Sequence, residues 1–217
     1  MNPDLMNFPI DEMLSAEKEA EKFGVIMAGM DEAGRGPLMG PVVAAAVIMP
    51  HGEAIPEVTD SKKLSEKKRE ALYEIIIEKA LAYGVGIVDS KRIDEIGIGN
   101  AVREAFTMAA DALKIRPDVI YNDEVKWVYG KVPNRSIIKG DLKVYSISAA
   151  SIIAKVTRDR MVREYDKEYP QYGFEKHKGY GTKAHFDAIR EYGITPLHRK
   201  SFLTKNHAEL LGKEYDG

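Results

Sequence analysis

Between Pro41 and Pro50 the chain reads VVAAAVIM, eight apolar residues with no polar residue among them. A run this short cannot cross a bilayer, which takes about 20 apolar residues as a helix. Without alternation it has no face to show to water, so it fits a strand covered on both sides by helices. A chain containing such a strand must supply further strands beside it and helices enough for two layers. The 217 residues, 44% of them apolar, suffice for one core of that kind.

The neighbouring segments supply those elements. GVIMAGMD from Gly24 reads as a second buried strand, joined to the first by the Gly/Pro turn of Gly34, Arg35, Gly36 and Pro37. Helical spacing follows from an N-cap at Ser65, with Leu72, Ile75, Ile76 and residues 79–81 on one side. YGVGIVD, residues 83–89, is a third strand; GNAVREAFTMAADALK is an amphipathic helix with Val102, Phe106, Ala109, Ala110 and Leu113 inward, stopped by Pro117. PDVIYND gives a fourth strand ending on Asp123, and RSIIKGD a fifth ending on Asp141. A long helix beginning SISAASIIAK has small residues in its first turns; a shorter helix over residues 182–192, a loop with His198 and Arg199, and a helical fragment complete the chain. Residues 8–22 read as a helix with few apolar anchors, packed outside or frayed. The expected fold class is α/β, a mixed sheet flanked by helices, with a small C-terminal helical segment.

Charge is unevenly spread. Residues 126–205 carry 17 Lys and Arg against 8 Asp and Glu, whereas residues 1–35 carry 3 against 8. A basic half beside an acidic segment suits a phosphate-binding surface around a cation site. The acidic N-terminal stretch has neither the basic nor the apolar region of a signal peptide, so a cytoplasmic protein without membrane association is expected. The chain contains no cysteine, which excludes disulfides, thiolate zinc sites and cysteine nucleophiles. A phosphate-binding P-loop, a dinucleotide fingerprint, an H-E-x-x-H pair and a G-x-S-x-G elbow are all missing from the sequence.

What remains is carboxylates at strand ends: Asp31 with Glu32, Asp123, and Asp141 in its KGD turn. Adjacent strand residues point to opposite faces, so Asp31 and Glu32 share a site only where their strand ends. Open α/β sheets bind ligands at such ends. Four carboxylates at one rim need compensating positive charge, and hard Mg²⁺ or Mn²⁺ fits oxygen ligands. Two such ions bound side by side support in-line hydrolysis of a phosphodiester. Singly, each aspartate also suits an ordinary turn.

DEAGRGP, DSKKLS, KGD, SAASIIAKVTRDR, YPQYGFEKHKGYGT and HRKSF occur in that order between Gly24 and Leu203. With them the chain resembles ribonuclease HII, in spelling closer to bacterial than to archaeal members. The resemblance implies a ribonuclease H-like fold and divalent-metal-dependent endonucleolytic cleavage of RNA in RNA·DNA hybrids. It further implies cleavage 5′ of a single ribonucleotide embedded in duplex DNA, leaving a 3′-hydroxyl and a 5′-phosphate. By motif register, Asp31, Glu32, Asp123 and Asp141 match the metal ligands, with Asn122 and Glu124 flanking the loosest match. Gly34, Arg35 and Gly36 match the turn that reads the 2′-hydroxyl, and Tyr180 the tyrosine at the junction sugar. Glycine permits close backbone approach, and an arginine fork suits phosphate. Lys62, Lys63, Lys143, Ser151 and Lys155 are candidate phosphate contacts. Arg158 and Asp159 read as structural, Asp159 pairing with Arg163 along the helix. For His198 and Arg199, facing the substrate and capping the fold are both open.

The chain is thus expected to comprise an N-terminal helical extension (1–23), a catalytic domain (24–203) and a tail (204–217), acting as a monomer. Two other readings stand beside this one. A ribonuclease HIII-type enzyme cuts long hybrids but acts poorly on a single ribonucleotide. A non-catalytic hybrid binder retains its duplex intact with or without metal.

Overall fold

The computed structural model describes residues 13–50, 54–58, 64–203 and 207–212. Its five-stranded sheet consists of β1 (Met27–Ala33), β2 (Val42–Ile48), β3 (Ala82–Val88), β4 (Val119–Asp123) and β5 (Asn134–Ile137), in the order β3-β2-β1-β4-β5. The β1/β2 and β2/β3 pairs are antiparallel, and the β1/β4 and β4/β5 pairs parallel. The mixed sheet is as expected, and β2 is buried along its whole length. Its side chains alternate between two cores: Val42, Ala44, Ala46 and Ile48 pack on one face, Ala45 and Val47 on the other.

The helices are α1 (Ser15–Lys22), α2 (Glu66–Lys79), α3 (Ser90–Ile96), α4 (Ile98–Asp111), α5 (Tyr145–Glu168), α6 (Phe174–His177), α7 (Lys183–Tyr192) and α8 (Lys200–Leu203). One face of the sheet carries α4 through Ala105, Phe106 and Ala109; the other carries α5 and α2 through Tyr145, Ile152, Leu72 and Ile76. The long α5 lies so close to β1 that a Cβ on Gly29 would stand 2.2 Å from the Ser146 carbonyl carbon. Glycine at that position therefore sets the depth at which α5 meets the sheet. Among the described residues no helix is long and apolar enough to cross a membrane.

Several expectations change. RSIIKGD does not remain a strand to Asp141: β5 ends at Ile137, Lys139 takes the left-handed conformation (φ 56°), and Asp141 sits in a 3₁₀ turn, Gly140–Leu142. Ile75 and Leu81 are exposed, because the inward stripe of α2 is the Leu72/Ile76 pair and the chain leaves the helix at Ala80. Asp159 does not pair with Arg163. It bonds Lys155 at 2.6 Å, while Arg163 turns to Glu70 and Glu66 on α2. The N-terminal helix is held more deeply than its polar sequence suggested. Met13, Leu14, Glu17 and Ala20 are buried, and Glu17 Oε1 accepts a hydrogen bond from Ser146 N at 2.8 Å. Glu17 thereby caps the first turn of α5, which has no side-chain cap from its own N-cap residue, Val144.

Candidate active site

The parallel strands β1 and β4 part at their C-terminal ends. β1 stays paired with β2 as far as Ala33, but its pairing with β4 stops at Met30 and Asn122. Asp31 and Glu32 thus border a split between strands and not the end of β1, which is how both reach one cavity despite the alternation of the strand. On the far side of the split stands Asp123, the last residue of β4. Asn122 Oδ1 accepts from Val125 N at 2.9 Å and turns the chain away, with Glu124 at φ 51°. Asp123 Oδ1 then accepts from Gly140 N at 2.7 Å, and Glu124 Oε1 from Lys139 N at 3.2 Å. These two acids fix the turn that delivers Asp141.

The result is a cluster. Carboxylate oxygens of Asp31, Asp123 and Asp141 lie within 4.8 Å of one another, with Asp31 and Asp141 buried. Burial pushes the Asp31 pKa well above the ordinary carboxylate range, and the charges of Glu32, Asp123 and Asp141 push it further. Glu32 lines the same cavity, its Oε1 3.1 Å from Arg35 Nη1. An all-oxygen, multiply anionic and partly enclosed donor set fits a hard divalent cation, which would return Asp31 to its ionised form.

The opposite wall is the turn Gly34, Arg35, Gly36 together with Tyr180, around a cavity of about 350 Å³. Tyr180 is half exposed, and a Cβ on Gly36 would stand 3.3 Å from its ring. Two buried arginines hold this wall from behind. Arg199 donates to the carbonyls of Gly34 (2.7 Å), Arg35 (3.2 Å), Pro37 (2.9 Å) and, twice, Gly40 (2.9 and 2.8 Å). Arg158 donates to Met39 (3.2 Å), Pro41 (3.1 Å) and Lys178 (3.0 Å), tying the turn to the Tyr180 loop. Leu38 N bonds Gly179 O directly at 2.8 Å. Burial, with Arg158 alongside, draws the pKa of Arg199 down to about 9, still protonated at neutral pH.

From α5, Ser151 and Lys155 complete the lining. Burial lowers the Lys155 pKa, and Asp159 beneath it opposes the shift. Lys143 is exposed and does not line the cavity; Lys62 and Lys63 lie outside the described residues. His198 and Arg199, left open by the sequence, are both buried and cap the fold from behind the turn. Glu124 and Arg158 are cavity residues that motif matching placed in other roles.

Residues 28–205 match the profile of the family described as Ribonuclease HII. The chain is 56% identical over 196 residues to the Ribonuclease HII of Acetivibrio thermocellus, spanning 90% of this chain and 76% of that protein. Its fold is similar to the crystal structure of the ribonuclease H2 from Pyrococcus horikoshii OT3, with a TM-score of 0.74 and 29% identity, across 86% of this chain and 97% of the other. Bst-RNase HIII, solved in complex with Mn²⁺, is similar in fold alone: TM-score 0.61, 17% identity, 86% of this chain and 64% of that one.

Proposed function

The chain belongs to the ribonuclease HII family, on its bacterial side, and is a ribonuclease H endonuclease for RNA·DNA hybrids; from that premise we propose that it also cuts 5′ of a single ribonucleotide in duplex DNA, using Mg²⁺ or Mn²⁺ and leaving a 3′-hydroxyl and a 5′-phosphate. The observation that carries this reading is the shared cavity: three clustered aspartates face a glycine turn and an exposed tyrosine.

Asp31, Asp123 and Asp141, with Glu32 beside them, would hold the divalent cation, whose chemistry when bound would be charge stabilisation of an in-line phosphodiester displacement. The backbone of Gly34 and Gly36 comes close to the sugar, where side chains would obstruct it, and meets the 2′-hydroxyl that distinguishes RNA from DNA. The Tyr180 ring packs against that sugar, and Arg35 reaches the adjoining phosphate. Lys155 and the Ser151 hydroxyl line the route of the backbone across α5, so Lys155 adds phosphate attraction that weakens with salt.

The test is a labelled DNA duplex containing one ribonucleotide, incubated with Mg²⁺, with Mn²⁺ and with chelator. A metal-dependent nick on the 5′ side is the expected result. Cutting of an all-RNA·DNA hybrid alone would move the protein to the ribonuclease HIII type of specificity, and no cutting of either would leave a binder.

A further inference from the structure

Behind Tyr180 lies a group of histidines that no part of the cleavage chemistry uses. His185, on α7, and His198, in the loop before α8, are buried, and their Nε2 atoms are 3.1 Å apart. At one end, Thr195 N donates to His198 Nδ1 at 2.9 Å, and the Thr195 hydroxyl, which accepts from Leu197 N at 3.2 Å, lies 2.9 Å from the same nitrogen with its own hydrogen free to donate there. At the other, His185 Nδ1 is 3.0 Å from the carbonyl oxygen of Tyr180. These end groups cannot exchange roles: a backbone N–H only donates, and a backbone carbonyl only accepts. His198 must therefore be unprotonated at Nδ1 and carry its hydrogen on Nε2. His185 must accept that hydrogen at Nε2 and donate from Nδ1 to Tyr180. One arrangement of protons satisfies every atom, with both rings neutral.

We propose that Thr195, His198 and His185 form a hydrogen-bond chain of fixed direction that sets the backbone of Tyr180, making both histidines positioning residues for reading the substrate sugar. The proposal rests on the reading of Tyr180 as the sugar-contacting residue. Two further observations support it. Burial, the dominant cause, brings the pKa of His185 down to about 4 and that of His198 to about 3, so both rings are neutral in the folded protein. His177 repeats the logic one layer away: Gly179 N donates to its Nδ1 (3.3 Å), its Nε2 faces Tyr172 O (3.0 Å), and its ring stacks on His185 at 4.5 Å. The Lys178–Tyr180 segment is thus gripped by imidazoles on one side and by Arg158 on the other.

Imidazole ¹⁵N resonances of the full chain without substrate give the first test. The chain requires the Nδ1–H form for His185 and the Nε2–H form for His198; the opposite tautomers overturn it. Kinetics on the single-ribonucleotide duplex give the second. Loss of the hydrogen bond in His185→Leu is expected to raise KM roughly tenfold with kcat nearly unchanged, whereas His185→Asn, whose amide can replace Nδ1 as donor, recovers most of the loss. Equal behaviour of the two variants makes His185 a packing residue and ends the proposal. If His185→Leu does not fold, the tautomers and the Asn variant still decide. Tyr180→Phe in the same assay separates two failures: an unchanged ribonucleotide preference removes the reading of Tyr180, while a reduced preference with silent His185 variants removes the chain.

Discussion

The two walls of the cavity handle polar groups in opposite ways. On the acidic wall, Asp31, Asp123 and Asp141 crowd like charges together, and burial makes the crowding worse. On the wall proposed to read the sugar, the carbonyls of Gly34, Arg35, Pro37, Met39, Gly40, Pro41, Lys178 and Tyr180 each meet Arg199, Arg158 or His185. The first wall is incomplete without a cation; the second is satisfied by the chain itself. On the proposed function, chemistry and recognition fall to different parts of the cavity, one loaded from outside and one preorganised.

The largest break in that comparison comes from Asp31→Asn or Asp141→Asn. Either is expected to lower kcat by at least about 10³, roughly 4 kcal/mol of transition-state stabilisation. Without metal, Asp31→Asn should not lower the melting temperature at neutral pH. The sign follows from Asp31, whose folded pKa is raised: its contribution favours the fold below the unfolded pKa and is lost as pH rises through the folded value. Near wild-type turnover in either variant would remove the ligand assignment.

Next in size is Arg199→Met. It leaves four carbonyls of the turn without their donor, at an expected cost of about 3 kcal/mol, measured by urea unfolding. A loss under 1 kcal/mol would mean that the turn is held by its own backbone.

Acid probes the histidines. His185 and His198 stay neutral when folded, so stability is full above the unfolded pKa of about 6.5 and falls as pH drops toward about 4 for His185 and about 3 for His198. The loss is on the order of 3 kcal/mol for His185 and 5 kcal/mol for His198. Asp31 contributes with the opposite slope, so urea titrations in the Asp31→Asn background, read between pH 6.5 and 5 where Glu70 and Asp187 stay ionised, report the histidines. A flat stability profile over that range in that background would contradict their burial as neutral rings.

The smallest expected effect sharpens the comparison. Tyr180→Phe or Arg35→Ala should reduce the preference for ribonucleotide-containing over all-DNA duplex about tenfold, near 1.4 kcal/mol, with a smaller change in binding to all-DNA duplex. Equal losses on both duplexes would remove them from recognition.

The acidic wall was legible because its residues announce themselves locally: Asp31, Glu32 and Asp123 follow apolar runs, and the Gly34–Gly36 turn is contiguous with them. Its details were not. Asp141 is delivered by a left-handed Lys139, a conformation the residue type does not advertise. The reading wall was legible in front, at Arg35 and Tyr180, and hidden behind. Arg199 meets Gly40 across 159 positions, Arg158 meets Met39 across 119, and Glu17 meets Ser146 across 129. Such contacts leave no periodicity. The HRKSF segment drew attention to His198 and Arg199 without revealing which way they face, since a polar pair in a loop looks alike at a surface and in a buried carbonyl cage.

The most direct test of this division of labour is the binding of ribonucleotide-containing and all-DNA duplexes by Asp141→Asn and by wild-type protein in chelator. The account predicts no cleavage in either case with the ribonucleotide preference retained. Loss of the preference together with cleavage would show that the cation, and not the preorganised wall, reads the sugar.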